Sequence, residues 1–461
     1  MPLIDIPQLD IADGPPPAPP SLLEQADSPE TNSSDEARLF RYRDPSHEKL
    51  PHIVKYSGGL SSGLLLFTLL ERKILKAERG DAIIFNNTSA EHPQTYLFAR
   101  RCKQECEEHY DVPFFWVEYM TYEDEHRGEY IRKASYRLTN DRPHSKDVNE
   151  DGFHWRGEVF EELLSWSGYV PNQFSRSCTS QMKLETTRRF LKDWLAGKDR
   201  ILRQGHGGET SRIDMDVLYE RHKRYRGKVP EEIYRDKKAF ALNRPHVRPE
   251  QVYADYSPNW DSFENDALEG KIIGGQADFN KGAEYVAFVG LRGDEPLRVQ
   301  RVKARAHNAG PGASGYKGEH VYMPLASMGI KRADVNAFWE KQKWRFEIPT
   351  SGHLSNCVFC YLKGGANLKS VRNIMREPSK MRSPEFGSLK GTPSDIDWWM
   401  DMEKKYGRNL IKEGVEQKNK SVKFIGFFGA NRDFSYKVLA KSDDEEIDRI
   451  GAKVLPCDCT E

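Results

Sequence analysis

His52-Ile-Val-Lys-Tyr56, Ala82-Ile-Ile-Phe85 and Phe114-Phe-Trp-Val-Glu-Tyr119 are three short apolar runs, with a helix-length segment in each interval between them. Those segments centre on Leu64–Leu70 and on Thr95–His109. Strands that alternate with helices must run parallel, because a tight hairpin cannot join parallel neighbours and a helical crossover can. The pattern predicts an α/β chain: a doubly wound, mainly parallel, Rossmann-like sheet. A fourth core strand is expected at Tyr285–Val289. Helices are expected at Lys183–Leu195, Ile330–Trp344 and Ile396–Tyr406, with a glycine- and cysteine-containing loop at 352–365.

The organisation follows from where this pattern stops. Residues 1–48 are rich in Pro, Ser, Asp and Glu with no apolar period, and are expected to be a disordered tail. Residues 49–204 form the nucleotide-binding core, 205–283 an insertion, 284–310 a return to the core, 311–410 a helical region with a Cys-x-x-Cys, and 411–461 a C-terminal extension. The chain has 70 basic and 70 acidic residues, so no overall field draws it to nucleic acid or to a membrane. No run reaches the roughly 18 apolar residues of a membrane span, and the N-terminus lacks the pattern of a secretory signal. Seven cysteines, six of them in close pairs, suit metal or redox chemistry in a reducing cytoplasm better than a disulfide framework.

Ser57-Gly58-Gly59-Leu60-Ser61-Ser62 sits between the first strand and the first helix. Two glycines let the backbone turn tightly and bring N–H groups up to an anion, and the next helix adds its positive end. The loop lacks the Gly-Lys-Ser/Thr ending of a Walker A motif. Thr88, Glu91 and Thr95 follow the second strand, on the side of the sheet where ligands of open parallel sheets bind. They are expected near the Ser57 loop, where Thr88 and Ser89 could equally cap a helix.

Ser-Gly-Gly-x-x-Ser after the first strand resembles the PP-loop of the adenine nucleotide alpha-hydrolase group. Phe85 to Phe98, read as Phe-x-Asn-Thr-x-x-Glu-x-x-x-Thr-Tyr-x-Phe, resembles the second motif of phosphoadenylyl-sulfate (PAPS) reductase-like proteins, above all those of phages, mobile elements and antiviral defence loci. Leu60 and Ser61 stand where many such loops carry Lys and Asp. Gly290-Leu-Arg-Gly-Asp-Glu-Pro-Leu-Arg298 is similar to a Gly-Leu/Ile-Arg-x-Asp-Glu-x-x-Arg segment of the same family. The resemblance spans about residues 50–200 and 285–405. It implies an adenine nucleotide held by Ser57, Gly58, Gly59, Ser61, Ser62, Thr88 and Glu91. Arg292, Arg298 and Arg301 would clamp phosphate or sulfate oxygens, with Lys303, Arg305 and His307 extending the basic strip. Ser57, Ser62 and Arg292 are the expected catalytic groups.

The cysteines divide by context. Cys357 and Cys360 form a Cys-x-x-Cys, and Cys178 precedes a helix in Arg176-Ser-Cys-Thr-Ser-Gln-Met-Lys183. Two thiolates on one tight loop suit zinc, an iron–sulfur cluster or a dithiol pair. The third cysteine and the nearby Arg176 and Lys183 favour an iron–sulfur cluster, zinc being the alternative, with His353 or a tail cysteine as a possible fourth ligand. Cys102 and Cys106 are four apart on a helix and are expected to be buried, and Cys457 and Cys459 belong to a tail.

Three functions fit these readings. The first is an ATP pyrophosphatase that adenylates an acceptor with Mg²⁺ and ATP as substrate, coupled to sulfur transfer or nucleic-acid modification. The second is a sulfonucleotide (PAPS/APS) reductase. The third is a non-catalytic nucleotide-binding accessory subunit with a structural zinc. A nucleic-acid or protein partner would approach through residues 205–283 and the tails.

Overall fold

The computed structural model describes residues 41–126, 129–196, 232, 284–307, 318–344, 354–410, 424–430 and 433–451. Most of the expected tail, the expected insertion, His353, Cys457 and Cys459 lie outside the described residues.

Seven strands form one sheet: β1 His52–Tyr56, β2 Ala82–Asn87, β3 Phe114–His126, β4 Glu129–Pro143, β5 Gly152–Phe153, β6 Tyr285–Val289 and β7 Glu319–Tyr322. Their spatial order is β5-β4-β3-β2-β1-β6-β7. β1 lies parallel between β2 and β6, with Val54 opposite both Ile83 and Phe288. β3 extends the parallel set on one side and β7 on the other. β4 runs against its neighbour β3, as the return arm of a hairpin, and β5 lies parallel to β4.

Both faces of the sheet are covered, which is why its central strands read as continuous apolar runs. Val54, Ile83, Phe85, Trp116 and Phe288 pack on one face with α1 (Leu60–Glu71) and α2 (Pro93–His109). Ile53, Ile84, Phe115, Val117 and Ala287 pack on the other with α4 (Thr186–Ala196), through Phe190, Leu191 and Trp194. The alternation along each strand thus divides its side chains between two helical layers. The coarse expectation, a mostly parallel α/β sheet of Rossmann-like type, is what the chain adopts.

Several boundaries differ from expectation. Residues 41–48, expected as tail, are held on the sheet: Tyr42 Oη lies 2.7 Å from His52 Nε2, and the Arg43 N–H donates to Tyr322 Oη at 2.9 Å. The hairpin partner β4 was not expected at all. The helix expected at Ile330–Trp344 is the shorter α7, Arg332–Glu340, preceded by α5 (Pro296–His307) and the single turn α6 (Pro324–Ser327). Part of the expected C-terminal extension, 433–451, packs on the region before it. Its helices α10 (Tyr436–Lys441) and α11 (Asp444–Gly451) pack on α8 (Gly365–Met375), where the buried Arg372 donates to the carbonyls of Leu439 and Ser442 at 2.9 and 2.8 Å. Trp399, on α9 (Ile396–Tyr406), centres the aromatic core there with Phe427 and Tyr436. Among the described residues no helix is long and apolar enough to cross a membrane.

Candidate functional site

In an open parallel sheet the chain leaves one strand to the left and the next to the right at a single point, and a crevice opens there beyond the carboxyl ends of the strands. Here that point lies between β1 and β6. β1 runs into Ser57–Ser62 and β6 into Gly290-Leu-Arg292, so the glycine loop and the first expected arginine meet in the crevice.

The loop is shaped by Ser62. Its buried hydroxyl accepts from the N–H of Ser57 at 3.3 Å, from Ser57 Oγ at 3.0 Å and from the N–H of Gly59 at 3.2 Å, and donates to the Gly59 carbonyl at 2.8 Å. Ser62 therefore organises the loop from within, while Ser57 is exposed. Gly58 has φ +78°, and a Cβ there would stand 2.7 Å from Thr95 Cγ2. Gly290 is required for a different reason: its Cβ would lie 3.0 Å from Ser62 Cα, against the first turn of α1. We expect Gly58→Ala to lose about 1–3 kcal/mol in urea unfolding, since both the left-handed backbone and the buried Thr95 and Phe85 resist a side chain.

The first-turn amides of α1 have no acceptor within the helix, and no acidic residue occupies that turn. Arg292 is 4 % exposed and adds a fixed cation at the same place. Its Nη1 donates to Ser61 Oγ at 3.0 Å and its Nε to Asp294 Oδ1 at 2.9 Å, while Glu295 accepts from its N–H at 2.8 Å. The helix N-terminus and the guanidinium thus stand together in the crevice, the guanidinium also paired with Asp294 and 3.8 Å from Glu295. Arg298 and Arg301 lie on α5 rather than in a loop. Arg298 is ion-paired to Glu295, and Arg301 and Lys303 are exposed.

The β2–α2 turn joins this loop to the cysteines. Glu91 is 3 % exposed, and its carboxylate accepts from Thr88 Oγ1 at 2.6 Å, from the N–H of Ala90 at 3.1 Å and from Tyr96 Oη at 3.2 Å. Thr88 Oγ1 also lies 3.4 Å from Cys357 Sγ, and Glu91 and Cys357 form a β-bridge. Thr88 and Glu91 thus stand against the cysteine loop, while Thr95 faces Gly58. Ser89 holds the turn in a left-handed conformation, φ +57°, and its Oγ accepts from the N–H of Val159, capping α3 (Glu158–Ser167). Thr95 Oγ1 and Ser177 Oγ are buried and find no hydrogen-bond partner among the described residues.

Behind the turn lies a charged network that the motifs do not signal. Glu118 of β3, fully buried, accepts from Asn87 Nδ2 at 2.6 Å and from the N–H of His154 at 2.7 Å, lies 2.9 Å from His154 Nδ1, and pairs with Arg137. Burial alone would raise this carboxyl, but the charges of His154 and Arg137 outweigh it and hold it down at about 2. Asn87 Oδ1 in turn accepts from the N–H of Ser89 at 2.8 Å, so the network sets the turn that carries Thr88 and Glu91. A glutamate inside the apolar run 114–119 was the one visible signal for it.

Cys178, Cys357 and Cys360 come into one neighbourhood. Cys178 opens a π-helical segment, Cys178–Glu185, a geometry that occurs often at functional sites. Its Sγ lies 3.4 Å from Tyr361 Oη, directly after Cys360. Burial, then the Glu91 charge, pushes the Cys357 thiol well up. Burial, then Cys178, lifts Cys360 to about 11. Lys183 on the π-helical segment faces the same group: burial lowers it, but Cys357, Glu91 and Cys178 more than compensate and raise it. Among the described residues no three His, Cys, Asp or Glu side chains are grouped closely enough to hold a metal ion. The donor chemistry of the neighbourhood, three thiols with lysines beside them, fits a soft metal centre such as zinc or iron–sulfur. Cys102 and Cys106 are buried under the sheet as expected, Cys102 accepting from Tyr56 Oη at 3.3 Å.

Comparison with protein-family models, with curated proteins and with solved structures returns no match.

Proposed function

We propose that this chain is a PP-loop enzyme of the adenine nucleotide alpha-hydrolase, PAPS reductase-like type, which splits ATP between its α and β phosphates to adenylate an acceptor. The observation that carries the reading is Arg292 Nη1 at 3.0 Å from Ser61 Oγ, at the start of α1 and at the switch point of the sheet. The strand order β3-β2-β1-β6-β7 supports the fold type.

In this reading the first-turn amides of α1 and the Ser57 and Ser61 hydroxyls hold the phosphates, which arrive with Mg²⁺. Arg292 neutralises charge as an acceptor carbonyl oxygen attacks the α-phosphorus and the α–β bridge breaks, releasing pyrophosphate. A nucleophile then takes the activated carbon and AMP departs. Cys178, Cys357 and Cys360 would hold the metal centre. The chemistry that an iron–sulfur centre held by these thiols would supply is a sulfur nucleophile, and zinc would instead stiffen the loop. Thr88 meets Cys357, and Thr95 in the first turn of α2 faces Gly58, so the short segment from Thr88 to Thr95 runs between the glycine loop and the thiols.

The test is pyrophosphate release from ATP and Mg²⁺ by the full chain, with sulfite release from phosphoadenylyl sulfate measured in parallel. Pyrophosphate without sulfite is expected. Sulfite alone would make the chain a sulfonucleotide reductase, and neither product with retained ATP binding would make it an accessory subunit. Cys360→Ser is expected to lose the metal of anaerobically prepared protein while keeping ATP binding. Unchanged metal content by elemental analysis would remove Cys360 from the centre.

A further inference from the structure

β7 stands last in the sheet order, so among the described residues one side of its backbone has no neighbouring strand. The Tyr285 N–H of β6 donates to the Gly318 carbonyl at 2.9 Å. Carbonyl directions alternate along a strand, which turns the carbonyls of Glu319 and Val321 to the open side. A bare edge of this kind invites another strand to add. Residues 41–49 lie against it. Arg43 Nη2 donates to the Val321 carbonyl at 2.6 Å, and the Arg43 guanidinium stands 4.6 Å over the Tyr322 ring. The 3-10 turn Pro45–Lys49 then lays His47 against the strand, where it is 8 % exposed.

Two imidazoles hold the turn there. The rings of His47 and of His320 on β7 are 3.9 Å apart and tilted by 34°. His47 Nδ1 lies 2.7 Å from Tyr322 Oη, and His320 Nε2 is buried with no hydrogen-bond partner among the described residues. Rings this close admit no water between them, so two protons would repel across a poorly screened gap. The charges facing the pair do not cancel that repulsion. Asp44 and Glu284, the latter 3.6 Å from His320 Nε2, are two negative charges, and Arg43 is one positive. Glu48 and Lys49, beside His47 in the turn, are exposed and of opposite sign, and Glu319 is paired with Lys55. His52 also touches the segment, 2.7 Å from Tyr42 Oη, but burial and then Arg79 keep it neutral down to about 3. Burial, then His320, pushes His47 below its usual 6.5. A histidine held down by the fold contributes its stability in full above 6.5 and loses it as pH falls below that value.

We infer that the turn Pro45–Lys49 is an acid-opened latch on the edge of β7, with His47 and His320 as its catch: it stays shut while at most one ring is charged and lifts when both are. Lifting withdraws Arg43 from the Val321 carbonyl and opens the edge to another strand. The inference is independent of any nucleotide or metal.

The experiment is amide hydrogen exchange of the full chain between pH 7.5 and pH 5.5, corrected for the intrinsic pH dependence of exchange. A single 3-10 turn has no stability apart from the sheet, so its amides report the latch. In wild type, protection over residues 42–50 is expected to fall at least tenfold across this range, with protection of β2 unchanged. In His47→Gln and His320→Gln only one ring can be charged, and the fall is expected to shrink to threefold or less. Unchanged wild-type protection over 42–50 would overturn the inference. So would a full fall in either variant, because the ring pair would then not be its cause. If either variant already lacks protection at pH 7.5, exchange of the imidazole C2 protons in wild type decides. Titration of one ring displaced by the charge of the other supports the latch, and two independent titrations overturn it.

Discussion

Glu118→Ala is expected to lower the stability of the fold by about 3–5 kcal/mol, the range for removing one partner of a buried ion pair. The carboxylate has no exposure and receives hydrogen bonds from Asn87 Nδ2 and from the His154 N–H, beside its pair with Arg137. Alanine leaves a guanidinium that is 16 % exposed without this counter-ion and two donors without their acceptor. The damage should extend beyond stability. Asn87 holds Ser89, Ser89 caps α3, and the same turn presents Thr88 to Cys357. Cys357 should therefore react faster with a thiol reagent in the variant. The pH dependence has a definite sign. The folded carboxyl sits at about 2 against 4.5 when unfolded, so its contribution is complete above pH 4.5 and is lost as pH falls through 2. That contribution amounts to about 3 kcal/mol. Urea unfolding of wild type and Glu118→Ala from pH 7 down to pH 2 checks both points. The stability gap should be constant at neutral pH and should narrow below pH 4.5. A gap that stays constant across the acid range would mean that Glu118 is not held as an ion by these partners.

What could be read from the sequence was whatever buries apolar side chains at a regular spacing. β1 and β6 keep their expected limits, and so does the helix Ile396–Tyr406, because each is a short apolar pattern closed by polar or glycine residues. β4 was missed for the converse reason. Past Thr121 the two strands continue in mostly charged and polar residues, with Glu123 in register with Arg132 and Tyr122 with Lys133, and such a sequence leaves no apolar alternation to find. The candidate site was legible in parts and not in its assembly. The loop Ser57–Ser62 and each cysteine could be singled out as motifs, but Arg292 reaching Ser61 spans 231 positions and Thr88 meeting Cys357 spans 269. No local pattern carries contacts of that kind. They exist because parallel strands bring distant loops to one edge of the sheet. The inner role of Ser62 was hidden for another reason: a serine hydroxyl bonds a backbone or a ligand equally well, and only the turn decides which.

Arg292→Ala is expected to slow pyrophosphate release from ATP by about 10²–10³-fold, the usual effect of deleting one fixed donor to a developing charge. The Arg292 guanidinium touches the glycine-loop side of the crevice, through Ser61. It is firmly held, with Asp294 on Nε and its own N–H on Glu295. Arg298 is bound to the same glutamate, and Arg301 is exposed, so Arg301→Ala should change turnover little. Arg292→Lys retains the charge but not the planar fork and is expected to fall between alanine and wild type. Because Asp294 also accepts from the N–H of Arg332, at the start of α7, a fold effect must be separated from a site effect. Asp294→Asn serves as that control: it weakens the clasp on Arg292 and α7 while leaving the guanidinium in the crevice. Each variant is measured for urea unfolding, for ATP affinity and for pyrophosphate release. Loss of turnover in a folded Arg292→Ala, with Asp294→Asn nearly as active as wild type, assigns the cation to the phosphates. Full turnover in a folded Arg292→Ala would move the nucleotide away from the β1–β6 crevice and take the proposed chemistry with it.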